Sequence, residues 1–158
     1  MILADRFGYD ERKIHDFEKR WLKLIETKEY LDKDTVYPDV IETLKRLKKQ
    51  YALYLATARQ SVENTTAELK RLKLFDLFDD VLITEHKATK EELIRQHIAP
   101  MSADDIFVGD TGKDVQTGKA LGMKTSAIST GFLAPEVLRE YRPDNIIESI
   151  RELEKNVG

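Results

Sequence analysis

The spacing of apolar positions divides the chain into two parts. Between Asp10 and about Thr27, apolar residues recur at intervals of three and four, which is one stripe of an amphipathic helix. These residues are Ile14, Phe17, Trp21, Leu22 and Ile25. A second helix is predicted after Tyr37-Pro38, because proline suits the first turn of a helix. Its apolar positions are Val40, Ile41, Leu44 and Leu47. The first part of the chain is therefore expected to be helical.

Beyond residue 50, short apolar runs alternate with segments of helical spacing. The predicted strands are Tyr51 to Ala56, Asp80 to Thr84, Ile106 to Val108, Thr125 to Ser129 and Asn145 to Ile147. The predicted helices are Ser61 to Leu72, Glu91 to His97, Asp114 to Leu121, one that starts at Pro135, and a final helix. Because helices separate the strands, the pattern predicts an α/β fold with a parallel sheet flanked by helices.

Composition narrows the classes of function. A chain of 158 residues can bury one sizeable core. Its 26 basic and 29 acidic residues give a net charge of -3, which offers no basic face to nucleic acid. The absence of cysteine excludes thiol nucleophiles, disulfides and cysteine zinc sites. Neither a signal segment nor an apolar run of membrane-spanning length is found, so we expect a cytoplasmic protein without a membrane partner.

One predicted strand ends in residues that suit a metal ion. Ile106 to Val108 is followed by Gly109-Asp110, and Asp114 comes four positions after Asp110. In an open parallel sheet this strand end borders the crevice where ligands bind, and Gly109 allows a sharp turn there. Two carboxylates one helical turn apart suit Mg²⁺. The plainer alternative is that Asp110 is a helix N-cap and Asp114 a first-turn carboxylate.

Hydroxyl and ammonium groups follow two other predicted strands. Thr57 directly follows the strand that ends at Ala56, and its hydroxyl could hydrogen-bond a phosphoryl oxygen or simply form a turn. Lys87 and Lys90 follow the strand that ends at Thr84. Either lysine could reach a phosphate, although most lysines are only solvated.

The order of these groups resembles the phosphatases of the haloacid dehalogenase-like superfamily. That family carries a threonine at one strand end, a lysine after the next strand and Gly-Asp-x-x-x-Asp after the third. The resemblance extends over nearly the whole chain. The other similar segments are Tyr37 to Leu47, Leu74 to Asp80, Ala120 to Met123 and Gly131-Phe132.

The resemblance implies a fold, a reaction and site residues. It implies a Rossmann-like core at residues 37–158 and a small N-terminal helical cap segment at residues 1–36. The implied reaction is Mg²⁺-dependent hydrolysis of a small phosphorylated metabolite, a phosphate monoester, through an aspartyl-phosphate. Asp110 and Asp114 would hold the metal, and Thr57 with Lys87 or Lys90 would bind phosphoryl oxygens. Lys87 fits the usual distance to the next helix, and Lys90 fits forms in which the lysine opens that helix.

The first motif of the family, an apolar strand ending in Asp-x-Asp-Gly-Thr, has no clear counterpart. Asp32-Lys33-Asp34-Thr35 has similar letters but no preceding apolar strand. Met1 to Ala4 followed by Asp5 is the other candidate, with Phe7 where the family has its acid. As a strand, this segment would make Asp5 the nucleophile. As the end of a helix stopped by Gly8, it suits the local signals better, and the helix is the interpretation we favour.

The missing motif leaves several alternatives. In this family the nucleophile strand is central, between the strands that end at Thr57 and Asp110. Without it these strands pair directly, another segment fills the gap, or a second copy of the chain does, which would make a homodimer. The chain is then either a phosphatase-like hydrolase or a catalytically dead or truncated binding and assembly module. A dehalogenase is a weaker alternative, since Asp5-x-Phe7-Gly8 is faintly similar to that branch.

Overall fold

The structure, a computed structural model, describes residues 10–98 and 100–156. Both interpretations of Met1 to Asp5 concern residues outside this part. The helices are α1 (Glu11–Ile25), α2 (Lys28–Leu31), α3 (Val40–Leu47), α4 (Val62–Arg71), α5 (Lys90–His97), α6 (Gly112–Ala120), α7 (Pro135–Glu140) and α8 (Leu153–Asn156). The strands are β1 (Tyr54–Thr57), β2 (Asp80–Ile83), β3 (Ile106–Gly109), β4 (Lys124–Ile128) and β5 (Asn145–Ile147). Short 3-10 turns lie at Phe75–Leu77 and Ile150–Glu152.

Local capping chemistry sets several helix starts. The side chains of Asp10, Ser61 and Thr89 each accept a hydrogen bond from a backbone N–H in the first turn of α1, α4 and α5 respectively. Thr89 also forms a reciprocal capping box with Glu92. These caps satisfy N–H groups that have no partner within the helix. The starts of these helices are therefore encoded within a few residues of sequence.

The first strand begins later than its apolar run predicts. The expected strand Tyr51 to Ala56 is found at Tyr54–Thr57. The backbone of Leu53 is bonded to Asp79 instead of to a strand, because its N–H donates to Asp79 Oδ2 and its carbonyl accepts from the Asp79 N–H, each at 2.7 Å. Pairing with β2 starts only at Tyr54, which lies opposite Asp80.

All strand pairs are parallel, and they form two hydrogen-bonded sheets. One sheet joins β1 to β2, and the other has the order β3-β4-β5. The predicted α/β fold with parallel strands flanked by helices is confirmed. Within residues 10–98 and 100–156, no ladder joins β1 to β3. Of the alternatives for the missing central strand, direct pairing of β1 with β3 is therefore not found in the described part.

The two sheets nevertheless share one core. On one side, Leu53 and Val108 pack against a cluster of Leu47, Ile147 and Leu153. On the other side, Ala56 and Phe107 pack against a second cluster, formed by Leu82, Ile94 and Leu121. Because neighbouring strand residues point to opposite faces, β3 contributes to both clusters. Residues of β1, β2 and β3 therefore pack together in the second cluster, and Leu53, just before β1, packs with Val108 in the first.

The helical first part contacts the rest of the chain around α4. The end of α1 meets the loop after β1, because the Glu26 carboxylate accepts a hydrogen bond from the Gln60 N–H. The Arg71 guanidinium donates to the carbonyls of Leu31 and Asp34 at 2.6 and 3.0 Å. No helix in the described ranges is long and apolar enough to cross a bilayer.

Candidate functional site

The predicted site residues Thr57 and Asp110 lie at the carboxyl ends of two parallel strands. Thr57 is the last residue of β1, and Asp110 directly follows the last residue of β3. Lys90, which follows β2, contacts Asp114, which follows β3, and β1 is parallel to β2, so the carboxyl ends of these strands open on the same edge. In an open α/β fold this edge is where ligands bind.

Asp114 is the most buried carboxylate of this edge, with only 4% of its surface exposed. Its Oδ1 lies 2.6 Å from Nζ of Lys90. Its Oδ2 accepts hydrogen bonds from the hydroxyl of Thr111 at 2.6 Å and from the Thr111 N–H at 3.2 Å. Thr111 is the N-cap of α6, so Asp114 closes a capping box and also holds a lysine. The alternative that Asp110 is the helix N-cap is therefore wrong, since Thr111 has that role. The first-turn position considered for Asp114 is present, together with a buried ion pair.

The two candidate lysines occupy different environments. Lys90 is the first residue of α5 and its side chain is 25% exposed, in contact with Asp114. The side chain of Lys87 is 75% exposed and pairs with Glu85 at 3.1 Å. Lys87 follows Glu85 and His86, which both adopt left-handed backbone conformations with φ of 49° and 56°. This turn directs Lys87 toward Glu85, and only Lys90 reaches Asp114.

Asp110 is held by the loop after β4. Its Oδ2 accepts a hydrogen bond of 2.8 Å from the N–H of Phe132. A Cβ on Gly131 would lie 2.2 Å from Cβ of Asp110, and a Cβ on Gly109 would lie 2.3 Å from Cβ of Asp114. Both glycines are therefore required for the close approach of backbone to carboxylate. The segment Gly131-Phe132 was part of the sequence resemblance, but its contact with Asp110 had no sequence signal of its own.

The chemistry of this edge fits Mg²⁺ in part. Oδ1 of Asp110 accepts no hydrogen bond from another described residue. Both oxygens of Asp114 are occupied by Lys90 and Thr111. Mg²⁺ commonly takes one or two carboxylates and completes its shell with water and substrate oxygens. Asp110 therefore suits direct binding, and within the described ranges no cluster of three acidic or histidine side chains adds further ligands.

A cavity of about 310 Å³ lies beside Asp110. Its apolar wall includes Val40, Val108 and Ile128, and Tyr37 and Glu148 add polar groups. The Tyr37 hydroxyl donates to the carbonyl of Thr130 at 3.3 Å. The volume falls in the range of pockets for small ligands. A larger cavity of about 460 Å³ runs along residues 33–38 and is lined by no predicted site residue.

The remaining sequence candidates have other roles or lie outside the described residues. Asp32 pairs with Lys28, and Asp34 pairs with Arg59. These contacts agree with setting aside the Asp32-x-Asp34 sequence. Nε2 of His86 lies 2.8 Å from the carbonyl of Ala58, so its ring contacts the backbone. Asp5, the candidate nucleophile, lies outside the described part.

These features define a Rossmann-like α/β protein with an acidic, lysine-containing site at the strand ends. A family model described as haloacid dehalogenase-like hydrolase matches residues 3–128. The chain therefore belongs to the haloacid dehalogenase-like hydrolase family. The resemblance stated from the motifs is confirmed.

Curated relatives come from the genus Bacillus. The chain is 34% identical over 127 residues to the pyrophosphatase PpaX of Bacillus mycoides (strain KBAB4) and to that of Bacillus cereus (strain Q1). Each match covers 74% of this chain and 57% of the relative. The chain thus spans little more than half the length of these pyrophosphatases.

Solved structures share the fold. A haloacid dehalogenase-like family protein of Streptococcus pneumoniae superposes with a TM-score of 0.79 at 24% identity, over 95% of this chain and 72% of the other. A protein of Clostridium acetobutylicum described as a predicted phosphatase gives 0.79 at 23% identity, over 98% and 74%. YfnB of Bacillus subtilis, whose structure is described as bound to magnesium, gives 0.67 at 19% identity, over 99% and 68%. These likenesses support the fold.

Proposed function

We propose that this chain provides the core of a Mg²⁺-dependent phosphatase that acts on small phosphate monoesters. The observation that carries the proposal is the contact of Lys90, which follows β2, with Asp114, which lies four residues after Asp110. Thr57 ends β1, the strand parallel to β2, and is assigned to the same site. A carboxylate, an ammonium group and a hydroxyl are the groups that a phosphoryl substrate needs. Membership of the hydrolase family agrees with this assignment.

Each residue has a distinct proposed role. Asp110 would hold Mg²⁺, which when bound would supply positive charge to the phosphoryl oxygens. Lys90 binds a phosphoryl oxygen, and Asp114 keeps its ammonium group in place through the 2.6 Å contact. The hydroxyl of Thr57 donates to another oxygen. In this proposal Asp5 is the nucleophile, since hydrolysis through an aspartyl-phosphate requires a carboxylate that attacks phosphorus. This role requires Met1 to Ala4 to be the strand and not the helix that the local sequence signals favour.

The test is Mg²⁺-dependent phosphate release by this chain. An aryl phosphate is the first substrate, and pyrophosphate is assayed beside it because the PpaX relatives are pyrophosphatases. We expect Asp110→Asn and Asp5→Asn each to lower the rate by about 10²-fold or more. Asp104→Asn is the matched control, since that side chain is 95% exposed and pairs only with Lys124. A wild-type rate equal to that of Asp110→Asn, with both variants folded, contradicts the enzyme hypothesis.

A second function, an assembly module, is favoured by one specific observation. Within the described residues β1 pairs only with β2 and β3 only with β4, although both sheets share one core. Unpaired inner strand edges invite a further strand, because buried backbone groups need partners. On this hypothesis a second copy of the chain supplies that strand, and the phosphate site binds without turnover.

The oligomeric state separates the two functions. Light scattering combined with gel filtration measures the mass in solution over a range of concentrations. A monomer with Mg²⁺-dependent turnover supports the phosphatase. A dimer that binds inorganic phosphate but releases none from the aryl phosphate supports the module.

A further inference from the structure

Arg59 lies two residues after Thr57 and connects two carboxylates from different parts of the chain. Its guanidinium is 3.3 Å from Oδ2 of Asp34, in the segment before α3, and 3.4 Å from Oε1 of Glu68 in α4. We call Asp34, Arg59 and Glu68 the Arg59 cluster. The cluster lies outside the phosphate site, but it borders the loop 58–60 that follows Thr57.

Loop 58–60 is held from two sides. On one side, the Gln60 N–H donates to both oxygens of the Glu26 carboxylate, at 2.9 and 3.0 Å. On the other side, the Arg59 carbonyl accepts from the Glu85 N–H at 3.0 Å, and the Ala58 carbonyl lies 2.8 Å from Nε2 of His86. Glu85 and His86 have positive φ, a backbone strain that persists only where contacts hold it. Arg59 is itself part of this loop, so a change in the Arg59 cluster acts directly on the loop.

Glu68 is a buried carboxyl group in this cluster. Its side chain is only 8% exposed. Burial, followed by the hydrogen bond and the charge of Asp34, raises the pKa of Glu68 to about 7, against the opposing effect of Arg59 and Arg71. The charged groups that face it are Asp34 from the segment before α3, Arg59 from loop 58–60 and Arg71 from α4 itself.

The charge interactions of Arg59 depend on the protonation state of Glu68. When Glu68 is protonated, Arg59 balances the single charge of Asp34. When Glu68 is ionised, two carboxylates share Arg59 at 3.3 and 3.4 Å and repel one another. The Asp34 side chain is 48% exposed, so it is the carboxylate that can move into water at low cost. Ionisation therefore weakens the contact between Asp34 and Arg59.

We propose that the Arg59 cluster is a proton-dependent connection between the segment before α3 and loop 58–60, in which Glu68 is a positioning residue for this loop, which directly follows Thr57. Protonated Glu68 keeps the Asp34 segment bonded to Arg59. Ionised Glu68 weakens this side-chain contact and alters the loop, while Arg71 still holds the carbonyls of Leu31 and Asp34. The consequence for a phosphate ligand rests on the proposed function, whereas the change in the loop itself does not.

The experiment is a pH titration of backbone amide resonances by NMR, between about pH 5.5 and 8.5. We expect the amides of residues 31–36 and 58–60 to shift together with a midpoint near pH 7. In Glu68→Gln, which mimics the protonated group, this shared transition is lost. In Asp34→Asn, the midpoint moves to lower pH, because one cause of the raised pKa is removed. The Glu63→Gln variant of the same helix, whose side chain is exposed, keeps the transition.

His86 contacts the same loop, so the His86→Gln variant separates its contribution from that of Glu68. The transition persists in this variant if Glu68 causes it. A transition that survives in Glu68→Gln, or a wild-type chain whose two segments do not shift together, overturns the inference. Affinity for inorganic phosphate with Mg²⁺ is measured at both ends of the pH range. Absence of binding at either end contradicts the proposed function, and the amide transition still decides the inference.

Discussion

Lys87 and Lys90 lie three residues apart, yet the structure gives them unrelated environments. Lys90 is partly buried against Asp114, and Lys87 is in water beside Glu85. The sequence left both open because each fits a spacing that the family uses. The difference arises from the turn at Glu85 and His86 and from the burial of Asp114, neither of which is visible in the order of residues.

Removal of the two lysines is expected to have different effects on stability. Lys90→Met leaves the buried charge of Asp114 without its cation, and we expect a loss of about 2–4 kcal/mol in the free energy of unfolding. Lys87→Met breaks an exposed pair and should change it by less than about 0.5 kcal/mol. Urea denaturation measures both values. Equal losses for the two variants would contradict a stabilising role of the buried Lys90–Asp114 pair.

The glycines at the site give a second comparison. Gly131→Ala places a Cβ 2.2 Å from Cβ of Asp110, so we expect a loss of about 1–3 kcal/mol and weaker Mn²⁺ binding, the metal serving as a spectroscopic substitute for Mg²⁺. Gly122→Ala is the control. Its Cβ would meet nothing within 4 Å, and only the positive φ of 76° costs about 1 kcal/mol. Unfolding curves and manganese titration by electron paramagnetic resonance measure both effects. If Gly122→Ala weakened Mn²⁺ binding to the same extent as Gly131→Ala, the loop after β4 would not be what holds Asp110.

At the scale of elements, sequence pattern located most helices and strands but not all their limits. The helix predicted from Asp114 begins at Gly112, because Thr111 supplies the cap and Asp114 closes the capping box. The short helix α2 (Lys28–Leu31) was not predicted, since four residues carry too little periodicity. Strand limits moved by one to three residues where pairing with a neighbour decided them.

One polar contact joins the starts of β4 and β5. Asp144 Oδ2 accepts from both the hydroxyl and the N–H of Thr125 at 2.7 Å. These hydrogen bonds, first that of the hydroxyl, lower the pKa of Asp144 from 3.8. The contribution of these hydrogen bonds to the free energy of unfolding is therefore complete above about pH 4. It is lost as the pH falls through the lower pKa that Asp144 has in the folded state.

Asp144→Asn is expected to remove this acid dependence. We expect a loss of about 1 kcal/mol at neutral pH and a smaller further loss in acid than in the wild-type chain. Thermal unfolding at neutral pH and near pH 3 provides the comparison. Asp104→Asn, at an exposed position, should follow the wild-type curve. A parallel loss for wild type and Asp144→Asn would exclude this carboxylate as a source of acid sensitivity.

At the scale of the whole molecule, the two sheets pack against a shared cluster, and no ladder joins β1 to β3 within the described residues. β4 is paired on both sides, and Ala127, Thr125 and Ser126 within it are almost fully buried. β1 and β3 are each paired on one side within the described residues. The proposed division into a cap segment at residues 1–36 and a core at 37–158 would place the Arg59 cluster at the boundary between them.

Amide hydrogen exchange tests whether a further strand lies between β1 and β3 in solution. We expect the amides of β4 to be the most protected, and those of β1 and β3 that point away from their partners to exchange at least about tenfold faster. Exchange is measured on the whole chain by NMR. Protection of β1 and β3 equal to that of β4 would mean that a strand occupies the gap in solution. A dilution series then distinguishes a strand of the same chain from one of a second copy.

The sequence by itself determined the alternation of helices and parallel strands, the family, and the residue types at the strand ends. Apolar period, caps and the Gly109-Asp110 motif act over short distances, so they can be read from neighbouring residues. Tertiary structure alone decided that Lys90 and not Lys87 meets Asp114, that Gly131 and Phe132 hold Asp110, and that Arg59 joins Asp34 to Glu68. These contacts link positions between 9 and 25 residues apart, so neighbouring residues in the sequence do not specify them.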